Sequence, residues 1–192
     1  GPMGLEWCRQ VMARTNGRVL YLTPLSIIPQ VMREAERFYG VDLPIDRIET
    51  REELAAWCRG QGPRLGITNY QKFIPKRGEP EVFSELRYLA GVCADESSVL
   101  KTGGGVIKWA LIKSARGIPY KLSLTATPAP NDAMEYASQA AFLETLRHEN
   151  EILWTYFSRD KYGEWSVKPH AREAYYRFLA TWSLYMRNPA AF

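Results

Sequence analysis

The stretch Leu89-Ala90-Gly91-Val92-Cys93-Ala94-Asp95-Glu96-Ser97-Ser98 decides how the chain reads as a fold. Tyr88 to Ala94 is its most apolar run, and it stops abruptly at two carboxylates. An unbroken apolar run of this length predicts a strand buried on both faces, as in a parallel sheet. Its end then sets Asp95 and Glu96 at the carboxyl edge of the sheet, where open α/β folds bind their ligands. In phosphoryl transfer, the first carboxylate of such a pair holds magnesium and the second orients or deprotonates the attacking water. An Asp-Glu pair also starts loops and caps helices, so the pair by itself does not name a chemistry.

Upstream, the pattern alternates. Leu5 to Arg14 has a helical stripe of Leu5, Cys8, Val11 and Met12, stopped by Asn16-Gly17. Val19 to Leu22 is a second unbroken apolar run and predicts a second buried strand. Ile28 to Tyr39 reads as an amphipathic helix with Gly40 at its C-terminal cap. Ile45 to Ile48 and Leu65 to Asn69 are further strand candidates. Between them, Thr50-Arg51-Glu52-Glu53 forms a capping box that opens a helix to about Arg59. Phe83 to Leu86 reads as helical. Downstream of the carboxylates come a glycine break over 102–105, a helix from Val106 to Ala115 and a strand from Lys121 to Thr125. Helix is expected from Ala133 to about Phe157. Strand alternating with helix predicts an α/β fold built on a parallel sheet.

The bulk composition narrows the classes. The chain has 192 residues, which suits one domain or one domain with a small appendage. At 46% hydrophobic residues it can bury a core, yet no apolar run approaches the ~18 residues needed to cross a membrane. Gly1-Pro2 ahead of Met3 reads as the remnant of a cleaved tag and is set aside, with no signal peptide following it. Three cysteines (Cys8, Cys58, Cys93) at no metal-ligand spacing imply reduced thiols and a cytoplasmic setting. Two histidines, His148 and His170, argue against a histidine metal site. Net charge is +4, but from Ser97 to Asn131 there is no acidic residue, while Lys101, Lys108, Lys113, Arg116 and Lys121 fall there.

The two chemistry-bearing segments acquire meaning together. Asp95-Glu96-Ser97-Ser98 is followed, about one helix later, by Ser123-Leu124-Thr125-Ala126-Thr127-Pro128-Ala129-Pro130-Asn131-Asp132. The pair resembles motifs II and III of superfamily-two DEAD/DEAH-type helicases, above all the Swi/Snf-related helicases of phages and mobile elements. Tyr21-Leu22-Thr23-Pro24-Leu25 resembles motif Ia of that family, and Gly66-Ile67-Thr68-Asn69-Tyr70 resembles motif Ib. The tail from Trp165 to Pro189 is similar to the stretch that closes the first lobe in the phage proteins, so the resemblance covers nearly the whole chain.

The resemblance implies a RecA-like first lobe over residues 3–150, truncated at its N-terminus, and an aromatic and basic helical extension over 151–192. The extension carries Tyr162, Trp165, Tyr175, Tyr176, Phe178, Trp182 and Tyr185 beside six lysines and arginines, with one apolar helical face expected from Pro169 through Met186. The family implies ATP and magnesium as cofactors. It makes Asp95 and Glu96 the catalytic carboxylates, with Asp95 as the magnesium ligand. Ser123, Thr125, Ala126 and Thr127 become the motif III segment that senses nucleotide state. DNA contact is implied for Pro24, Leu25, Thr68, Asn69 and Tyr70, with Lys101, Lys108 and Lys113 supplying charge. The sequence departs from the family in holding no G-x-x-x-x-G-K-[ST] loop, nor any Gly-Lys dipeptide, and in placing Thr102-Gly103-Gly104-Gly105 after Lys101, where the family has a charged segment. The phosphate-binding loop is therefore expected to lie upstream of the first residue, the second lobe to follow the last, and the isolated chain not to hydrolyse ATP. Two functions follow. One is salt-dependent DNA binding by a helicase-derived lobe. The other is a phage or mobile-element binding protein that modulates a nucleic-acid-processing or host-defence complex, with Tyr, Trp and Arg of the tail as its interface. With the loop missing, sheet surface near Val19–Leu22 and 90–94 is expected to be exposed and to favour a homodimer. A dinucleotide-binding enzyme is set aside, because no G-x-G-x-x-G is present.

Overall fold

The structure, a computed structural model, describes residues 1–97, 105–126, 135–146, 149–159 and 165–184. The chain divides into two compact units, Gly1–Pro128 and Ala129–Phe192. The sequence set its boundary later, at 150.

The first unit is an α/β layer structure. Its elements are α1 (Pro2–Thr15), β1 (Val19–Leu22), α2 (Ile28–Tyr39), β2 (Ile45–Arg47), α3 (Arg51–Cys58), β3 (Leu65–Thr68), β4 (Gly91–Ala94), α4 (Gly105–Ser114) and β5 (Tyr120–Ser123). The five strands form one parallel sheet in the order β2-β3-β1-β4-β5. All four residues of β1, of β3 and of β4 are buried, as unbroken apolar runs require, while the outer strands β2 and β5 are only partly covered.

Register sorts the side chains between two faces. Val19 and Tyr21 of β1, Leu65 and Ile67 of β3 and Cys93 of β4 pack with Leu5, Cys8, Val11 and Met12 of α1 and with Ile28, Val31 and Ala35 of α2. Gly66 alternates to the opposite face, where a Cβ would stand 2.7 Å from the Trp57 ring of α3 and 2.8 Å from Ile48. Helices thus cover both faces of the sheet. The expected exposure of Val19–Leu22 and of the strand before Asp95 is corrected here: both strands are fully buried, Val19, Tyr21 and Cys93 toward α1 and Leu20, Leu22, Val92 and Ala94 outside that cluster.

Local chemistry ends these elements where it should. Asn16 caps α1 in the left-handed region at φ 55° and returns its N–H to the Met12 carbonyl. Thr50 and Glu53 close the capping box of α3 reciprocally: Glu53 N donates to Thr50 Oγ1 at 3.0 Å, and Thr50 N to Glu53 Oε2 at 3.2 Å. Pro2, set aside in the sequence, lies in the first turn of α1. The helix expected at 83–86 is instead a 3-10 turn, Ser84–Tyr88, and Tyr70–Phe73 is another. Gly105, read as part of a glycine break, is the first residue of α4, and the rest of that break lies outside the described residues.

The second unit contains α5 (Glu135–Phe142), α6 (Glu149–Tyr156), β6 (Phe157–Arg159), β7 (Trp165–Val167) and α7 (Arg172–Ala180). The helical extension expected after 151 is only partly helical, since β6 and β7 form an antiparallel pair, with Phe157 opposite Val167 and Arg159 opposite Trp165. Aromatic and β-branched residues facing one another across two short strands favour this pairing over helix. The apolar face foreseen for the last helix is present in part. Ala171, Tyr175 and Leu179 are buried, and α7 ends at Ala180, whereas Met186 lies outside the described residues. Tyr175 anchors this core, its ring 5.3 Å from that of Phe157 and 5.5 Å from that of Tyr156.

Candidate functional site

β4 delivers Asp95 and Glu96 to the carboxyl edge of the sheet, between the ends of β1 and β5. The Asp95 amide donates to the Leu22 carbonyl at 2.8 Å, which extends the β1–β4 ladder by one step. The chain then turns sharply. Glu96 takes φ 49°, a left-handed conformation costly for a residue with a Cβ, and its N–H donates to Asp95 Oδ1 at 3.1 Å. Ser97 is buried, with its amide on the Leu124 carbonyl at 2.9 Å. Ser123 Oγ donates to Ser97 Oγ at 2.9 Å. The two motif-like segments, 26 residues apart in the chain at these serines, are therefore hydrogen-bonded neighbours, Ser97 in the turn after β4 and Ser123 at the end of β5.

The Asp95 side chain is only 14% exposed. Its Oδ2 accepts the Tyr21 hydroxyl at 2.5 Å. The positive end of the α1 dipole points to the same place. Below, the Tyr70 hydroxyl donates to the Asp95 main-chain carbonyl at 2.7 Å. Burial pushes the phenols of both Tyr21 and Tyr70 well above their usual range, and the nearby Cys93 and Asp95 add to it. Both tyrosines therefore stay protonated and keep donating. The Cys93 thiol is raised by burial and by its hydrogen bond with Cys8, which makes it an inert core thiol.

Among the described residues of this unit, two buried polar atoms lack a hydrogen-bond partner: Thr23 Oγ1, just past the end of β1, and Glu34 Oε2 on α2. Buried polar atoms are nearly always paired, so each marks a place where a partner belongs. Glu34 Oε2 lies 3.8 Å from where a Cβ on Gly1 would stand.

The remaining sequence-named residues are placed unevenly. Thr68, Asn69 and Tyr70 are buried, and their side-chain oxygens are engaged internally: Thr68 Oγ1 donates to the Ile48 carbonyl at 2.8 Å, and Asn69 Oδ1 accepts the Gln71 amide at 3.0 Å. Pro24 is half-buried and Leu25 is 55% exposed. Lys108 stacks over the Trp109 ring at 4.9 Å, and Lys113 is paired with Glu81 at 2.9 Å. Thr125 is half-buried and Ala126 exposed, whereas Lys101 and Thr127 lie outside the described residues. Tyr21 and Thr23 were read only as part of the strand and the motif Ia-like stretch that follows it, with no site role of their own, and Glu34 had no role. For Tyr21 a signal existed: a tyrosine inside a strand buried on both faces must find a partner for its hydroxyl.

Magnesium takes hard oxygen ligands and is commonly held by one or two carboxylates together with substrate phosphates. Asp95 meets that description, and among the described residues no group of three acidic, thiol or imidazole side chains offers an all-protein cage. A phosphate cradle of the G-x-x-x-x-G-K type is not among the residues of this chain. Among the described residues no helix is long and apolar enough to cross a membrane. Compared with known proteins, the sequence matches no family model and no curated protein.

Proposed function

We propose that this chain is a RecA-like lobe of the DNA-translocating helicase type, acting by binding DNA, with the Asp95–Glu96 edge as half of a nucleotide site. One observation carries the reading. Asp95 and Glu96 stand at the carboxyl end of an interior parallel strand, joined through Ser97 to Ser123 on the next strand. A nucleotide-dependent motor needs this juxtaposition of metal-binding carboxylates with a neighbouring hydroxyl-bearing strand end. Asp95 would hold magnesium, which would neutralise phosphate charge, and Glu96 would stand beside it for the attacking water. Turnover also needs a phosphate cradle, so this polypeptide alone is a binder and not an ATPase.

DNA contact would fall on the exposed Leu25 with Pro24, on the strand-end backbone, and on Lys101, Lys108 and Lys113. Anisotropy titration of a labelled duplex tests this. Three phosphate contacts should weaken binding roughly 40-fold over a fourfold rise in salt. Affinity unchanged by salt would end the reading, as would robust DNA-stimulated phosphate release by the isolated chain. The second reading, a binding protein that modulates a nucleic-acid-processing complex, is favoured by Trp154, which is 72% exposed on α6. Exposed tryptophan is a frequent anchor of protein interfaces.

A further inference from the structure

A groove that shares no lining residue with the Asp95 edge has a different character. It lies between β2 and α3 and encloses about 530 Å³. Its apolar lining is Ile48, Ala56 and Trp57, and its rim holds four carboxylates, Asp46, Glu49, Glu52 and Glu53, against one guanidinium, Arg47. Two of the four are committed. Glu53 is spent on the capping box, and Glu49 is paired with Arg47 at 3.1 Å. Asp46 and Glu52 have no ion-pair or hydrogen-bond partner among the described residues. The groove is thus acidic on a chain whose net charge is +4.

β2 is the terminal strand of the sheet, and among the described residues nothing pairs with its outer side. The Ile48 amide donates inward to the Ile67 carbonyl at 2.9 Å. In a parallel ladder alternate residues turn their amide and carbonyl to opposite neighbours, so Ile45 and Arg47 turn theirs outward. An open strand edge of this kind is a template for an added strand. The side chains of that added strand on the α3 side would meet Asp46 and Glu52.

We infer that this groove receives an extended, lysine- or arginine-bearing segment of a protein partner, which adds to the sheet as a strand beside β2. Backbone hydrogen bonds to Ile45 and Arg47 supply affinity, and Asp46 and Glu52 select positive charge. The site makes no use of the nucleotide edge, so it stands whether or not DNA binds.

The test uses the full chain and a fluorescein-labelled heptapeptide alternating lysine with valine, with glutamate replacing lysine in the control. The basic peptide should bind and the acidic one should not. Asp46→Asn combined with Glu52→Gln should weaken binding roughly tenfold or more. Amide hydrogen exchange at Ile45 and Arg47 should slow when the peptide is bound. Equal binding of the two peptides, or full binding by the double variant, overturns the proposal. So does binding without amide protection that spermidine abolishes, because the groove is then a small-cation site and not a strand acceptor.

Discussion

Two helices meet the sheet through opposite arrangements of the same pair, a glycine and a large aromatic ring. At α1 the glycine is on the helix: a Cβ on Gly4 would stand 2.8 Å from the Tyr21 ring and 3.2 Å from Cys93 Sγ. At α3 the glycine is on the strand, and Gly66 of β3 receives Trp57 from the helix. In both places the missing side chain lets a ring fill the layer between helix and sheet. The difference lies in where the polar tip of each ring goes. Trp57 Nε1 donates to the Pro63 carbonyl at 2.8 Å, which ties down a loop. The Tyr21 hydroxyl reaches Asp95, which stands 74 residues further on at the candidate site. One ring closes a structural corner, and the other positions a carboxylate. Similar packing can therefore serve stability alone or hold a functional group as well.

The largest expected effect is at the structural corner. Trp57→Ala should cost about 3–5 kcal/mol in urea unfolding, because a fully buried ring leaves a cavity that the glycine beneath it cannot fill. A loss below about 1 kcal/mol would show that the corner collapses without it.

The comparison sharpens with the glycines. Gly66→Ala and Gly4→Ala should each cost about 1–3 kcal/mol by overpacking. Trp57→Leu should relieve Gly66→Ala and leave Gly4→Ala unrelieved, since the rings involved are different. Relief of both by Trp57→Leu would merge the two corners into one mechanical unit and break the comparison.

The smallest effect concerns how α1 is held to α2. Glu6 accepts from Arg9 at 2.7 Å, from Gln10 at 2.9 Å and from the Tyr39 hydroxyl at 3.0 Å. Those hydrogen bonds, that of Arg9 foremost, lower its carboxyl from 4.5 to about 2. A carboxyl lowered on folding contributes stability above its unfolded value, and the contribution is lost as pH falls from about 4.5 toward about 2. Glu6→Gln should therefore flatten the melting temperature against pH in that window and leave it nearly unchanged near neutrality. An identical acid profile in the variant would remove Glu6 from the account.

Much of the first unit was legible because its signals are local. The apolar run Val19–Leu22 does form a strand buried on both faces, and the Thr50–Glu53 box caps its helix. Asp95 and Glu96 do end a buried parallel strand at the carboxyl edge. Thr68, Asn69 and Tyr70 show where such reading stops. A polar cluster after a strand looks solvent-facing, yet all three are buried with their side-chain oxygens bonded inside the protein. The β6–β7 pair was missed because three-residue strands have too few residues to show a period.

By itself the sequence determined the alternation of strand and helix, the buried character of the central strands, the helix caps, and the carboxylate pair at a strand end. These depend on periodicity, turn chemistry and capping, which act within a few residues of one another. Tertiary structure alone decided that Tyr21 grips Asp95, that Ser97 meets Ser123, and that β2 lies at the open end of the sheet beside an acidic groove. Those contacts depend on strand order and on which helix covers which face. Such long-range choices are settled by burying the whole layer at once, and no short stretch of the chain carries them.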